Sequence, residues 1–77
     1  MTTQGMWCIY YCKVNEPTNW KVMKTERSDG VLVATKKRSE AYTFPRIKDA
    51  FAFAKRLIEE GKYNADVKKL SGLYFAE

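Results

Sequence analysis

The sequence predicts an α+β domain: an antiparallel sheet of three to four strands with one main helix packed on one face, in the order β-β-β-α-β. Three observations carry that prediction. The N-terminal half alternates β-prone runs with turn signals. Residues 46–60 carry one apolar stripe at helical spacing. A chain of 77 residues has room for a single core, hence one domain spanning 1–77.

Residues 1–5 carry no pattern and are expected to be a flexible N-terminus. Residues 6–14 are rich in aromatic and β-branched types and read as the first strand. Residues 15–19, with Pro17 between polar neighbours, read as a turn. Residues 20–27 begin by alternating apolar and polar types, as a half-buried strand does. Asp29-Gly30 is a hairpin signal, because both types tolerate a positive φ. Residues 31–37 are then the third strand, which completes an antiparallel meander.

Phe44-Pro45 ends the extended region, and a helix is expected from about Arg46. Ile47, Ala50, Phe51, Ala54, Leu57 and Ile58 form its apolar stripe, with Phe53 at the margin. Lys48, Ala52, Arg56 and Glu59 fall on the far side, and Gly61 suits the left-handed position that terminates a helix. Residues 64–72 have two readings. Asn64 suits the cap of a short helix that ends before Gly72, and Ser71-Gly72 equally suits a turn between 66–70 and 73–76. A short helix or irregular turn is preferred, with 73–76 as the final strand.

Aromatic residues make up 14% of the chain, and burying several of them lets a small core reach adequate stability. Fourteen cations against nine anions give a net charge of +5. Such a balance favours nucleic acid, an anionic membrane surface or an acidic protein partner, and it also serves solubility.

The chain has no histidine, so the commonest general base is missing. Phosphate-binding glycine loops and ligand clusters for a metal are missing too. Catalytic residues, metal ligands and cofactors are therefore not expected, and the chain does not read as an enzyme. Cys8 and Cys12 are four residues apart in a β-prone run. An extended chain separates them by roughly 13 Å, at about 3.3 Å per residue. That is beyond disulfide range, and two buried free thiols in a reducing compartment are expected. No signal peptide or membrane span is visible, so a cytoplasmic location is expected.

One helix covers one face of the sheet, which leaves the other for solvent, a partner or the termini. The second and third strands hold the densest charge. Lys21, Lys24, Arg27, Lys36, Lys37 and Arg38 are the candidate nucleic-acid-binding residues, against Glu26 and Asp29. Neighbouring residues on a strand point to opposite faces, so these six cannot form one patch. A two-residue Asp29-Gly30 loop groups Lys21, Met23, Thr25 and Arg27 with Leu32, Ala34, Lys36 and Arg38. A three-residue loop groups them instead with Val31, Val33, Thr35 and Lys37. A basic two-stranded ribbon fits the major groove of DNA. Alternatively Trp7, Tyr10 or Tyr11 stacks unpaired bases. Lysines on an open face also simply keep a sheet soluble.

The order Trp20-x-Val22, Asp29-Gly30-Val31-x-Val33, Phe44, Lys48-Asp49-Ala50-x-Ala52-Phe53-Ala54 resembles the arm-type DNA-binding domains of some tyrosine integrases, which are like the plant AP2 domain. It is similar as well to small uncharacterised bacterial sheet-plus-helix domains. The arm-type resemblance covers residues 20–58 and implies a three-stranded sheet, backed by one helix, that enters the major groove. Residues 38–44 are longer than the matching connection, and 73–76 have no counterpart there. No integrase catalytic domain follows, so recombinase activity is not expected of these 77 residues.

The expected function is that of a small non-enzymatic module, bacterial or phage-derived, that contacts nucleic acid through the basic face of strands 2 and 3. The alternative is a protein-binding module or phage-type inhibitor that takes a host protein on its open face or an edge strand. Self-association as a homodimer through an edge strand is compatible with both.

Overall fold

The computed structural model describes residues 6–73 and 75. The expected flexible segment 1–5 lies outside the described residues. Four strands, β1 (Trp7–Lys13), β2 (Lys21–Glu26), β3 (Leu32–Thr35) and β4 (Tyr63–Lys69), form one antiparallel sheet in the order β3-β2-β1-β4. Helix α1 (Ile47–Glu60) packs on one face of it. The α+β class, the meander and the single main helix are as the sequence predicts.

Two expectations need correction. The last strand is β4, on residues read as a short helix or irregular turn. Its seven residues pair with all of β1, from Trp7 with Lys69 to Lys13 with Tyr63. Tyr63, Ala65 and Val67 alternate with Asn64, Asp66 and Lys68, so an apolar face was present in the sequence. The capping signal of Asn64 points the other way, toward a short helix. Leu70–Gly72 then makes one 3₁₀ turn, and neither Leu73 nor Phe75 is in a strand. The rest of the expected 73–76 strand, residues 74 and 76, lies outside the described residues.

The third strand is also shorter than 31–37. It stops at Thr35, whose hydroxyl oxygen accepts the Lys37 N–H at 3.0 Å and donates to Glu40 Oε1 at 2.9 Å. A side chain that takes over backbone partners in this way draws the chain out of the ladder. Lys36 and Lys37 therefore leave the sheet, and Arg38 starts a 3₁₀ turn, Arg38–Glu40.

The hairpin loop has three residues. Arg27 N–H bonds to Val31 O at 2.8 Å, Gly30 N–H bonds to Arg27 O, and Gly30 adopts φ 85°. This is a turn closed by a left-handed glycine. Beyond it Thr25 pairs with Val33 and Glu26 with Leu32, but Met23 pairs with Ala34 and Val22 with Thr35. The register slips by one at Lys24, a β-bulge. Both groupings considered from the sequence are thus present. The three-residue grouping holds near the turn, and the two-residue grouping returns beyond the bulge.

The bulge sits where the sheet opens. β1 and β2 pair only at Tyr10 with Val22 and Tyr11 with Lys21. Past that point Trp7 exchanges backbone bonds with Phe44 instead, and Met23 O accepts the Tyr42 N–H at 3.0 Å. Residues 42–44 fill the gap between the diverging strands. The connection that looked too long from the sequence supplies these backbone partners.

The core lies between the sheet and α1. Ile9, Tyr11, Met23, Leu32 and Tyr63 face Ala50, Ala54 and Leu57, with Trp7, Phe44, Phe53, Ala65 and Val67 around them. Phe53 is core margin, as expected. The expected stripe is only half used, because Ile47, Phe51 and Ile58 are exposed. The helix packs on β4, the sheet's edge strand, and part of its stripe overhangs that edge. Arg56, expected on the far side, turns back to bridge Glu26 at 2.8 Å and Glu60 at 3.1 Å. These charge-assisted bonds raise its pKa, with the Glu26 bond the largest cause. Gly61, at φ 78°, ends the helix as expected.

Candidate nucleic-acid interface

Alternation along β1 separates its side chains. Trp7, Ile9 and Tyr11 point to the helix, while Cys8, Tyr10 and Cys12 point to the opposite face. Of the three aromatics that were candidates for base stacking, Trp7 and Tyr11 belong to the core side and Tyr10 alone looks outward. Burial holds the Tyr11 phenol protonated and pushes its pKa up to about 12, with the neighbouring Tyr63 adding to the rise.

Among the described residues no α-helix covers the second face, yet Cys8, Cys12, Val22 and Thr35 are buried on it. Irregular segments do the covering. Cys12 Sγ lies 3.9 Å from the Pro17 carbonyl of the β1–β2 loop. Trp20, at the end of that loop, stacks on Tyr10 with ring centroids 5.5 Å apart and planes 17° apart. Arg38 donates to the Leu70 and Leu73 carbonyls at 2.9 and 3.3 Å, and its guanidinium stands 5.0 Å from the Phe75 ring centroid. Burial raises the Cys8 pKa, and the Arg38 charge partly offsets the rise. Both cysteines are buried free thiols, as expected.

Between these covers a cleft of about 580 Å³ remains open. Tyr10, Trp20, Val22, Thr35 and Phe75 line it, with Asn19 and Ala34. Lys21 and Lys36 complete the wall, and no carboxylate is among its described lining residues. Trp20 keeps 36% of its surface exposed, so one face of a stacked pair is available.

The six candidate cations divide into groups. Lys21 and Lys36 both line the rim of the cleft, Lys21 from a backbone position that pairs with the helix-side Tyr11, and Arg38 reaches the cleft through Phe75. Lys37 follows Lys36 where the chain leaves the sheet, with its backbone tied to Thr35. Lys24 stands on the bulge, 4.0 Å from Glu40. Arg27 pairs with Asp29 at 3.1 Å in a second hollow that holds three cations and three carboxylates, and so offers no net charge. The sequence reading missed Trp20, Thr35 and Phe75 as cleft residues. Trp20 was within reach, because it precedes a strand partner of Tyr11. Phe75 was not, since no local pattern shows where a tail returns.

Among the described residues, no three Cys, Asp or Glu side chains gather as metal ligands would, and no helix is long and apolar enough to cross a membrane. No family model matches the chain, and no curated protein or solved structure matches it either.

Proposed function

We propose that the chain is a small non-enzymatic binding module that takes single-stranded nucleic acid at the cleft between β1, β2 and β3. The observation that carries this reading is the cleft itself. An exposed indole stacked on a tyrosine lies in a cleft whose wall includes Lys21 and Lys36, with no acidic side chain among the described lining. A base adds its π-face to such a platform whatever its identity, and the lysines meet the phosphates on either side. Lys37 and Arg38 extend the same positive edge along the backbone of the strand.

The site favours an unpaired strand over a duplex. In the arm-type modules that residues 20–58 resemble, an open sheet enters the major groove. In this chain the β1–β2 loop and Phe75 stand over the corresponding face. A single extruded base fits a cleft so flanked, while a groove-filling ribbon needs the face bare. A cytoplasmic, bacterial or phage setting suits this role.

The test is a fluorescence-anisotropy titration with labelled single-stranded and duplex oligonucleotides at two salt concentrations, read alongside tryptophan emission. The expected result is tighter binding of the single strand, quenching of Trp20, and affinity that falls as salt rises. Absence of binding at low salt, or binding that ignores salt, overturns the proposal and returns the open face to the alternative of a host-protein partner.

A further inference from the structure

Among the described residues, no strand pairs with the outer side of β4. Leu70 N–H bonds to Met6 O and Val14 N–H bonds to Lys62 O, so the even-numbered residues of this strand turn their backbone groups toward β1. Tyr63, Ala65, Val67 and Lys69 therefore turn theirs outward, at the edge of the sheet. Beside that edge Phe51 and Ile58 are 53% and 50% exposed, and they flank a groove whose floor includes Ala65 and Val67. Apolar surface and a strand edge without a neighbouring strand among the described residues thus lie side by side.

We propose that this edge receives a second copy of the same chain, β4 against β4 in antiparallel register, with the two-fold axis at Val67. Charge selects both the occupant and the register. A strand that meets its own copy pairs residues symmetrically about the axis. With the axis at Val67, Asp66 faces the second copy's Lys68 and Lys68 faces its Asp66, giving two opposite-charge pairs. An axis at Asp66 sets carboxylate against carboxylate, and an axis at Lys68 sets ammonium against ammonium. An axis at Ala65 sets Lys68 against the second copy's Lys62.

The hydrogen-bond phase agrees independently. Val67 points its backbone outward, so Val67 and its copy form a bonded pair, and so do Ala65 and the second copy's Lys69. Asp66 and Lys68 then occupy the non-bonded sites, where opposed side chains are closest. In the single chain Asp66 Oδ1 accepts the Val67 N–H at 2.8 Å, and Lys68 Nζ lies 3.4 Å from Asp66 Oδ2. Pairing exchanges these local contacts for equivalent ones across the axis. The overhanging Phe51 and Ile58 of both copies come to the same face of a continuous eight-stranded sheet. This inference does not depend on the cleft or on what the cleft binds.

The experiment is sedimentation velocity across a concentration series, on wild type, Asp66→Lys, Lys68→Asp and the double exchange. Both side chains are exposed, so circular dichroism is expected to show all four folded. Wild type should dimerise, each single reversal should weaken the dimer about tenfold, and the double exchange should restore it. A wild type that stays monomeric at millimolar concentration overturns the proposal. Single reversals that dimerise like wild type, or a double exchange that fails to recover, overturn it too.

Discussion

The phenol oxygen of Tyr63 accepts a hydrogen bond from the backbone N–H of Leu32 at 3.2 Å, so the two edge strands of the sheet touch. In a flat sheet three strand spacings would separate β3 from β4, about 14 Å in all, beyond the reach of a tyrosine side chain. The contact requires a sheet that coils on itself. The parting of β1 from β2 and the bulge at Lys24 make that coil possible. Glu26 and Arg56 fasten the same region, joining the hairpin to the helix.

Tyr63→Phe keeps the ring against Tyr11 and leaves the Leu32 N–H without its partner. An unpaired buried donor costs about 1–3 kcal/mol. Urea unfolding should show that loss, and hydrogen exchange at the Leu32 amide should speed up beyond the global change. A variant as stable as wild type would mean that the coil is held by packing alone.

Alkaline pH should destabilise the domain through Tyr11. Its pKa is about 12 in the folded chain, against 10.0 ordinarily, so the folded state holds a proton that the unfolded state releases. The stabilisation is complete below pH 10 and is lost as pH rises from 10 to about 12. The loss should be about 1–3 kcal/mol over that window. Tyr11→Phe should flatten this part of the pH–stability curve. An equal slope in both proteins would assign the effect elsewhere.

The helix stripe should divide sharply under alanine substitution. Leu57 is fully buried and Phe51 is half exposed, though the sequence places both on one apolar face. Leu57→Ala should cost about 2–5 kcal/mol. Phe51→Ala, measured on the monomer, should stay within about 0.5 kcal/mol. Comparable losses would show that Phe51 is covered within a single chain.

Cations at the cleft should matter and paired ones should not. Lys21→Ala and Lys36→Ala should each weaken single-strand binding and lower the salt slope by about 0.7. Lys24→Ala and Arg27→Ala, beside Glu40 and Asp29, should leave both nearly unchanged. Trp20→Ala should remove about 1–3 kcal/mol of binding without changing the salt slope. Anisotropy titrations of the five variants check the set, and equal losses at all four cations would dissolve the distinction.

Local pattern made most of the architecture legible. Alternation marked β1 and β2, Asp29-Gly30 marked the hairpin, and the spacing from Ala50 to Leu57 with Gly61 marked the helix. The failures share a cause. Thr35 ends β3 by bonding to groups two and five residues ahead, which no propensity expresses. β4 pairs along the side of β1 that β2 leaves open, a fact about a strand fifty or more residues away. The cleft joins Tyr10, Trp20, Lys36 and Phe75 from four segments. Its lysines were visible as charge, but the Lys24 bulge decides which of them meet, and a bulge leaves little trace in sequence.

The central place of β1 has a consequence for synthesis. Of the four described strands β1 leaves the ribosome first, and its full-length neighbour β4 leaves last. Until then a ribbon that carries Cys8, Ile9, Tyr11 and Cys12, all destined for complete or near-complete burial, keeps one edge unsatisfied. The local hairpin of β2 and β3 holds β1 at only two positions. The sheet therefore cannot close until residue 69 has emerged, and until then the exposed edge of β1 is open to wrong partners.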